Sequence, residues 1–232
     1  MLTLLSIHCG PVVDIPAIGS DAWWDRPWRT GFLKTPHLGS VLAGPVGLAG
    51  DSQADLVNHG GPDKALCVYP TEHLAYWNAV LAPLRLEHGS FGENFSTQGC
   101  IEDAVCIGDV FHAASGAVFQ ISQPRQPCWK LARRWRVQDL AMQAEQTGRT
   151  GWYFRVLQAG QISAGTTLRL HHRPHPQWTV AVANTIMHRQ KNDRDAAAAL
   201  AACPALSASW LRTLSARAAG AADSSQARQT QP

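Results

Sequence analysis

The chain has 232 residues, of which 45% are hydrophobic and 16% charged, with a formal net charge of +3. That length and apolar fraction suit one sizeable globular domain plus a small appendage, and exclude a compositionally disordered chain. The mildly basic balance suits anionic ligands, but no dense Lys/Arg block is present, which argues against nucleic acid as a partner.

Residues 2–7 read as a first strand. They lack the basic leader and small-residue cleavage site of a signal peptide. No apolar run approaches the roughly 20 residues needed to cross a bilayer, so no membrane association is expected. The expectation is a cytoplasmic protein with reduced thiols. The segment "DAWWDRPW" has three tryptophans and no clear period, and reads as a packed surface loop.

Further short strands are predicted at 31–34, 65–69, 105–113, 117–122, 152–157 and 167–171. The turn "ASG" joins 110–113 to 117–122 as a hairpin. Several short strands with glycine turns suggest a small barrel or sandwich. Two helices interrupt them. Thr71 is placed to cap the first, whose Leu74, Trp77, Leu81 and Leu84 share one face. The second spans 137–147 and stops at Gly148.

After "RPHPQW" the chain turns alanine-rich. Thr179, Asp193 and Ser207 stand at the N-cap positions of three short helices, with Pro204 between the second and third. The expected division is a β domain over 1–173, a three-helix domain over 178–219 and a disordered tail over 220–232. On that division, deleting the helices leaves a folded barrel.

Six cysteines occur, with no C-x-x-C pair and no plant-type iron–sulfur spacing. This argues against a structural zinc site or a resident cluster. Cys128 stands out within "SQPRQPCWK", between Pro127 and Trp129 and near Arg125 and Lys130. Cations favour the thiolate, a soft ligand for a transition metal. The alternative is a small hydrophobe in a core. Pro124 and Pro127 stiffen the loop and limit helix formation.

In "VNHGGPDKALCVYP", Gly60 and Gly61 permit close backbone approach and an anion nest, and His59 and Lys64 add polar reach. The alternative is a plain turn. In "GSFGENFSTQG", Glu93 and Asn94 either orient a polar ligand or belong to a β-turn. Cys67 alternates with Leu66 and Val68 and reads as strand core. His171, His172 and His175 suit a solvated junction better than a metal site. A nucleophile–base pair of Cys128 and His59 ranks behind metal ligation, because no third orienting group is evident. Rossmann glycine spacing is absent, since "HGGPDK" opens a strand and not a helix.

Taken in order, "GLAGDSQAD", "VNHGGPDKALCVYPTEHLAYW", "FGENFST", "IGDVF" and "SQPRQPCWKL" resemble the MOSC-domain family, named for the C-terminal domain of molybdenum cofactor sulfurases. The likeness is to its stand-alone bacterial YiiM-like branch, and covers about residues 40–170. The tail "LSASWLRTLSARA" resembles the three-helix domain of that branch, while the start of the chain matches poorly.

The resemblance implies a mainly β fold: a MOSC-type β-barrel with flanking helices, followed by a small C-terminal three-helix domain. It implies a molybdenum cofactor (molybdopterin, a pterin dithiolene phosphate holding Mo), with Cys128 as the catalytic metal ligand; pyridoxal phosphate is not expected. His59, Gly60, Gly61, Glu93, Asn94, Ser122, Arg125 and Lys130 match positions that would line the cofactor pocket; that Arg125 and Lys130 meet its phosphate is inferred from their charge and not from the resemblance. The implied activity is a molybdenum-dependent oxidoreductase of detoxification. It would reduce N-hydroxylated small molecules such as 6-hydroxylaminopurine, amidoximes and hydroxylamines. The alternative is a cofactor carrier or sulfur-transfer module without reductase turnover. Electrons would come from a separate flavoprotein or iron–sulfur reductase. The three helices would serve docking, homodimer formation or simple packing.

Overall fold

The computed structural model describes residues 1–20, 22–56 and 58–221. Seven strands close a barrel: β1 (Leu2–Cys9), β2 (Leu66–Pro70), β3 (Phe95–Gln98), β4 (Val110–Ala113), β5 (Val118–Pro124), β6 (Trp152–Gln158) and β7 (Thr167–His172). Around the barrel the order is β7-β4-β5-β6-β2-β3-β1, and β1 returns to β7 with Leu2 opposite Leu168. Only β2 and β3 run parallel. Closure leaves no free edge among these strands. Alternate residues fill the interior, with Leu66, Val68, Phe95, Phe119, Trp152 and Phe154 all fully buried.

Three helices lie outside the barrel: α1 (His73–Val80), α2 (Trp129–Trp135) and α3 (Leu140–Thr147). They cover a second apolar cluster of Phe32, Tyr69, Trp77, Leu86, Phe91, Leu131, Leu140 and Ala144. Tyr69 stacks on Phe91 at 3.9 Å and accepts the Trp77 indole N–H at 2.6 Å. Gly148 stops α3 in the left-handed region, as its sequence position predicts.

Several expectations need correction. Residues 31–34 form no strand; Trp28–Thr30 pairs with Val13–Ile15, and Thr35–Pro36 pairs with the end of β1. Gly31, Phe32 and Lys34 instead line a cleft described below. The strand expected over 105–113 begins only at Val110, because the Asp109 carboxylate accepts the Cys106 N–H at 2.9 Å and folds the preceding residues into a turn. Thr71 does not cap α1; its hydroxyl donates to the Thr97 carbonyl at 3.0 Å. Helix α2 is an element the sequence reading missed. Pro124 and Pro127 precede its first turn, where they break no helical hydrogen bond.

The C-terminal segment folds as α4 (Val180–Asn184), continued by a wider turn over Thr185–Arg189, then α5 (Arg194–Ala201) and α6 (Ala208–Ala218). Thr179, Asp193 and Ser207 cap the three helices by accepting the N–H groups of Val182, Ala196 and Trp210. These helices share one continuous apolar core with the barrel, to which Val180, Ile186, Met187, Leu200, Trp210 and Leu214 contribute. The barrel is therefore not closed off from the helices as the composition change suggested. The expected disordered tail lies outside the described residues from 222 onward. No helix among the described residues is long and apolar enough to cross a membrane.

A polar seam fixes the helices to the barrel. Asp63 accepts from Arg155 Nε at 2.6 Å and from the Ala208 N–H at 2.8 Å, while Arg155 Nη1 donates to the Ala205 carbonyl at 2.7 Å. Burial works against the Asp63 charge, but Arg155 and the Ala208 N–H outweigh it and hold its pKa below the usual carboxylate range. The folded value lies below the unfolded one of about 3.9, so this stabilisation is present above that value and is lost as pH falls through the folded value. Asp63→Asn is expected to lower stability at neutral pH by about 1–3 kcal/mol. It should also shrink the gap between melting temperatures at neutral and strongly acid pH. Equal gaps in variant and parent would refute this.

Candidate functional site

On the outer face of the barrel, Cys67 of β2 stands opposite Tyr153 of β6. Their neighbours Leu66, Val68, Trp152 and Phe154 belong to the barrel core, so the two-residue period sends Cys67 and Tyr153 outward. They floor a cleft enclosing about 600 Å³ of space, part of it open to solvent. Gly31, Phe32 and Lys34 form one wall, and Gln53, Ala54, His59 and Lys64 another. Gly92, Asn94, Arg125, Gln126, Cys128 and Lys130 complete it. Gly92 has φ +69°, and a Cβ there would lie 2.6 Å from the Phe32 ring, so glycine lets Phe32 close against this loop.

Among the described residues four cations line the cleft, Lys34, Lys64, Arg125 and Lys130, and no carboxylate does. Lys34 is ion-paired with buried Asp51, and Lys64 Nζ donates to the Asn58 carbonyl at 2.7 Å. Arg125 is 5% exposed, and its Nη1 has no hydrogen-bond partner. Burial opposes its charge, but the neighbouring Cys67, Tyr153, Cys128 and Glu93 groups outweigh that and raise its pKa. A buried guanidinium N–H without a partner costs about 1–3 kcal/mol, which an anion entering the cleft would relieve. Burial, with Cys67 adding to it, raises the Tyr153 phenol, and burial raises the Cys67 thiol; both hold their protons at neutral pH.

Cys128 is buried at the N-cap of α2. Its Sγ lies 3.4 Å from His59 Nε2, and His59 Nδ1 lies 3.3 Å from Asp55 Oδ2. The His59 N–H bonds to the Asp55 carbonyl at 2.9 Å, which brings the two side chains together. Burial, then Lys130, push the imidazole down to about 4 against the pull of Asp55. Burial also works against the Asp55 carboxylate, but the Asn58 hydrogen bonds, then His59, bring it to about 2. The ring is thus neutral at pH 7, and Asp55 favours the Nδ1–H tautomer, leaving the Nε2 lone pair toward Cys128. Asp55 is the third orienting group that the sequence reading did not find.

Of the predicted site residues, Cys128, His59, Asn94, Arg125 and Lys130 meet in the cleft. Asn94 is already committed: Oδ1 accepts the Cys67 N–H, and Nδ2 donates to the His8 carbonyl and to Asp51. Gly60, Gly61, Glu93 and Ser122 are not among the lining residues. Gly61, at φ +81°, opens the short 3-10 turn Pro62–Lys64 and so carries Lys64. The Glu93 carboxylate accepts from the Gly89 and Phe91 N–H groups and the Ser96 hydroxyl, which leaves it tied to its own loop. Ser122 sits at a register shift in β5 and donates to the Asp63 carbonyl at 2.5 Å. The cleft's Lys34, Phe32, Gln53, Cys67 and Tyr153, with Asp55 behind it, escaped the sequence reading. Strand period was the available signal for Cys67: a residue between two core positions faces the other side.

A MOSC domain model matches residues 55–169, and a YiiM-like 3-alpha helix domain model matches residues 178–220. Protein YiiM of Escherichia coli (strain K12) is 40% identical over 182 residues, 77% of this chain and 80% of that protein. The crystal structure of YiiM from Geobacillus stearothermophilus superposes with a TM-score of 0.77 at 36% identity, covering 94% of this chain and 100% of the other. A protein named "Reductase" from Gibberella moniliformis (strain M3125 / FGSC 7600) is 36% identical over 149 residues, 63% of this chain but 26% of that protein. The closed seven-strand barrel, its flanking helices and the capped C-terminal helices agree with these matches, and the chain belongs to the YiiM-like branch of the MOSC-domain family.

Proposed function

We propose that this protein is a molybdenum-cofactor-dependent reductase of N-hydroxylated compounds. The observation that carries the reading is the cleft itself: a buried cysteine among four lining cations, no carboxylate among the described lining residues, and a buried Arg125 Nη1 without a partner. Those residues fit an anionic pterin phosphate that also needs a sulfur ligand for its metal. Arg125 and Lys130 would hold the phosphate, and Cys128 the metal. When bound, the cofactor supplies two-electron redox chemistry that removes oxygen from nitrogen. The overall change takes an N-hydroxylamine, two electrons and two protons to an amine and water.

The chain's residues position the reacting groups. Asp55 fixes the His59 ring, and His59 fixes the Cys128 sulfur. Tyr153 keeps its phenolic proton at the cleft floor, where the hydroxyl is a hydrogen-bond donor for a polar group of the substrate. Phe32 gives the cleft an apolar wall, its ring packed against Gly92. The reductase-named relative supports the reaction class.

One observation favours a second reading, a cofactor carrier with sulfur transfer. Asp55, His59 and Cys128 align as orienter, base and nucleophile. Purified protein from a cofactor-competent host separates the two. Bound molybdenum and pterin together with viologen-driven reduction of 6-hydroxylaminopurine supports the reductase. Loading without turnover supports the carrier, and absence of both metal and pterin from folded protein defeats both.

The chain alone is expected not to oxidise NADH or NADPH, because it has no Rossmann glycine spacing and no iron–sulfur cysteine pattern. Steady NADH consumption by pure protein with substrate would defeat that expectation.

A further inference from the structure

Beside the cleft, two segments gather cations and indoles. Residues 22–29 and 129–136 together carry six basic residues against one acid, Asp25. Asp25 is buried and paired with Arg136 Nη2 at 2.6 Å. The Arg133 guanidinium lies 4.8 Å from the Trp28 ring centre and 5.8 Å from that of Trp129, and its Nε donates to the Trp24 carbonyl at 3.2 Å. The two indoles approach each other at 5.7 Å. This interlock joins the two segments by cation–π contacts and hydrogen bonds. Around it Arg26, Arg29, Arg134 and Arg136 are exposed. Arg29 has an acidic neighbour in Asp14, but at 3.9 Å, with both side chains largely in solvent.

The face adjoins the proposed reaction centre. Helix α2 starts immediately after Cys128, and Lys130 on it lines the cleft. Seven helical residues span only about 10 Å, so a molecule resting on α2 is one helix-length from the Cys128 sulfur. A cationic surface at a cleft attracts acidic partners and orients their encounter. Electrons for the proposed reaction must arrive from another protein. Resting on that reading, we propose that the Trp–Arg face of α2 and residues 22–29 docks an acidic one-electron carrier protein. Single-stranded nucleic acid fits less well, because Arg133 already occupies the faces of Trp28 and Trp129 on which bases would stack.

The test uses the cofactor-loaded full chain with two acidic probes, a reduced flavodoxin and a reduced plant-type ferredoxin. Arg26→Glu combined with Arg134→Glu reverses two exposed charges outside the cleft. The double variant should raise KM for a carrier at least about tenfold, as should added salt in the parent protein. Turnover driven by reduced methyl viologen, a small cation, should be unchanged. Intact viologen turnover with carrier KM insensitive to both salt and the double variant would overturn the docking face. No viologen turnover in the loaded parent would sink the reductase reading instead. Docking is then read by calorimetry with oxidised carriers: salt-dependent binding lost in the double variant supports it, and no such binding overturns it. An oligonucleotide that binds this face and displaces the carrier would also overturn it.

Discussion

Replacing Cys128 by serine is expected to cut N-hydroxyl reduction at least about 100-fold, since partners one shell further from a metal already account for 10–100-fold. The melting temperature of the cofactor-free protein should stay within a few degrees of the parent. Serine is a harder and poorer ligand for molybdenum than a thiolate. It nevertheless keeps a hydroxyl where the thiol meets His59 Nε2 at 3.4 Å, so no buried polar group loses its partner. A stability change below about 1 kcal/mol moves the melting point of a protein this size by about 2–4 °C.

The control must come from outside the cleft. Cys67 is unsuitable, because it lines the same cleft as Cys128. Phe154→Leu serves better: Phe154 is fully buried in the barrel, and its loss of volume should lower the melting temperature while leaving activity per folded molecule intact. Normal turnover of fully loaded Cys128→Ser would remove Cys128 from the metal.

Removing residues 178–219 is expected to leave a chain that does not fold cooperatively. Val180, Ile186, Met187, Leu200, Trp210 and Leu214 are each at most 4% exposed and belong to the barrel's own cluster. If only half of that burial is against the barrel, about 5–9 kcal/mol is lost, at about 1.5–3 kcal/mol per side chain. That is comparable to a typical domain's whole stability, about 5–15 kcal/mol. Main-chain bonds go as well: Ile107 N–H to the Trp178 carbonyl at 2.8 Å, Val180 N–H to Val105 at 2.9 Å, and Ser207 N–H to Ser122 at 3.0 Å. Trp210→Ala isolates part of the effect, at about 3–5 kcal/mol. The measurements are soluble yield, near-ultraviolet circular dichroism and a thermal melt of the chain lacking residues 178–219. A soluble fragment with a sharp melt and retained cofactor would show that the barrel stands alone.

Local rules determined much of this protein. Short apolar runs bounded by glycine, proline and aspartate gave the barrel segments at 2–7, 65–69, 117–122 and 152–157, because a strand needs only a few consecutive residues to reach the core. Thr179, Asp193 and Ser207 announced their helices, because an N-cap needs only an oxygen one turn from an unpaired N–H. Cys128 was legible because proline, tryptophan and cations flank it in the chain itself.

Only the tertiary structure decided which polar side chains are free for a ligand. Glu93 and Ser122 match site motifs, yet their oxygens are committed to neighbouring backbone and side chains, and no sequence pattern records that commitment. The cleft floor pairs Cys67 with Tyr153 across 86 residues, through a strand register that no local window contains. Helix α2 was hidden for a related reason. Its sequence follows two prolines, and what stabilises it is packing: Leu131 seats in the cluster under α1, and Arg133 locks between Trp28 and Trp129. Short-range propensity is worth tenths of a kcal/mol per residue, whereas such buried contacts are worth several times that, so packing decided where propensity was silent.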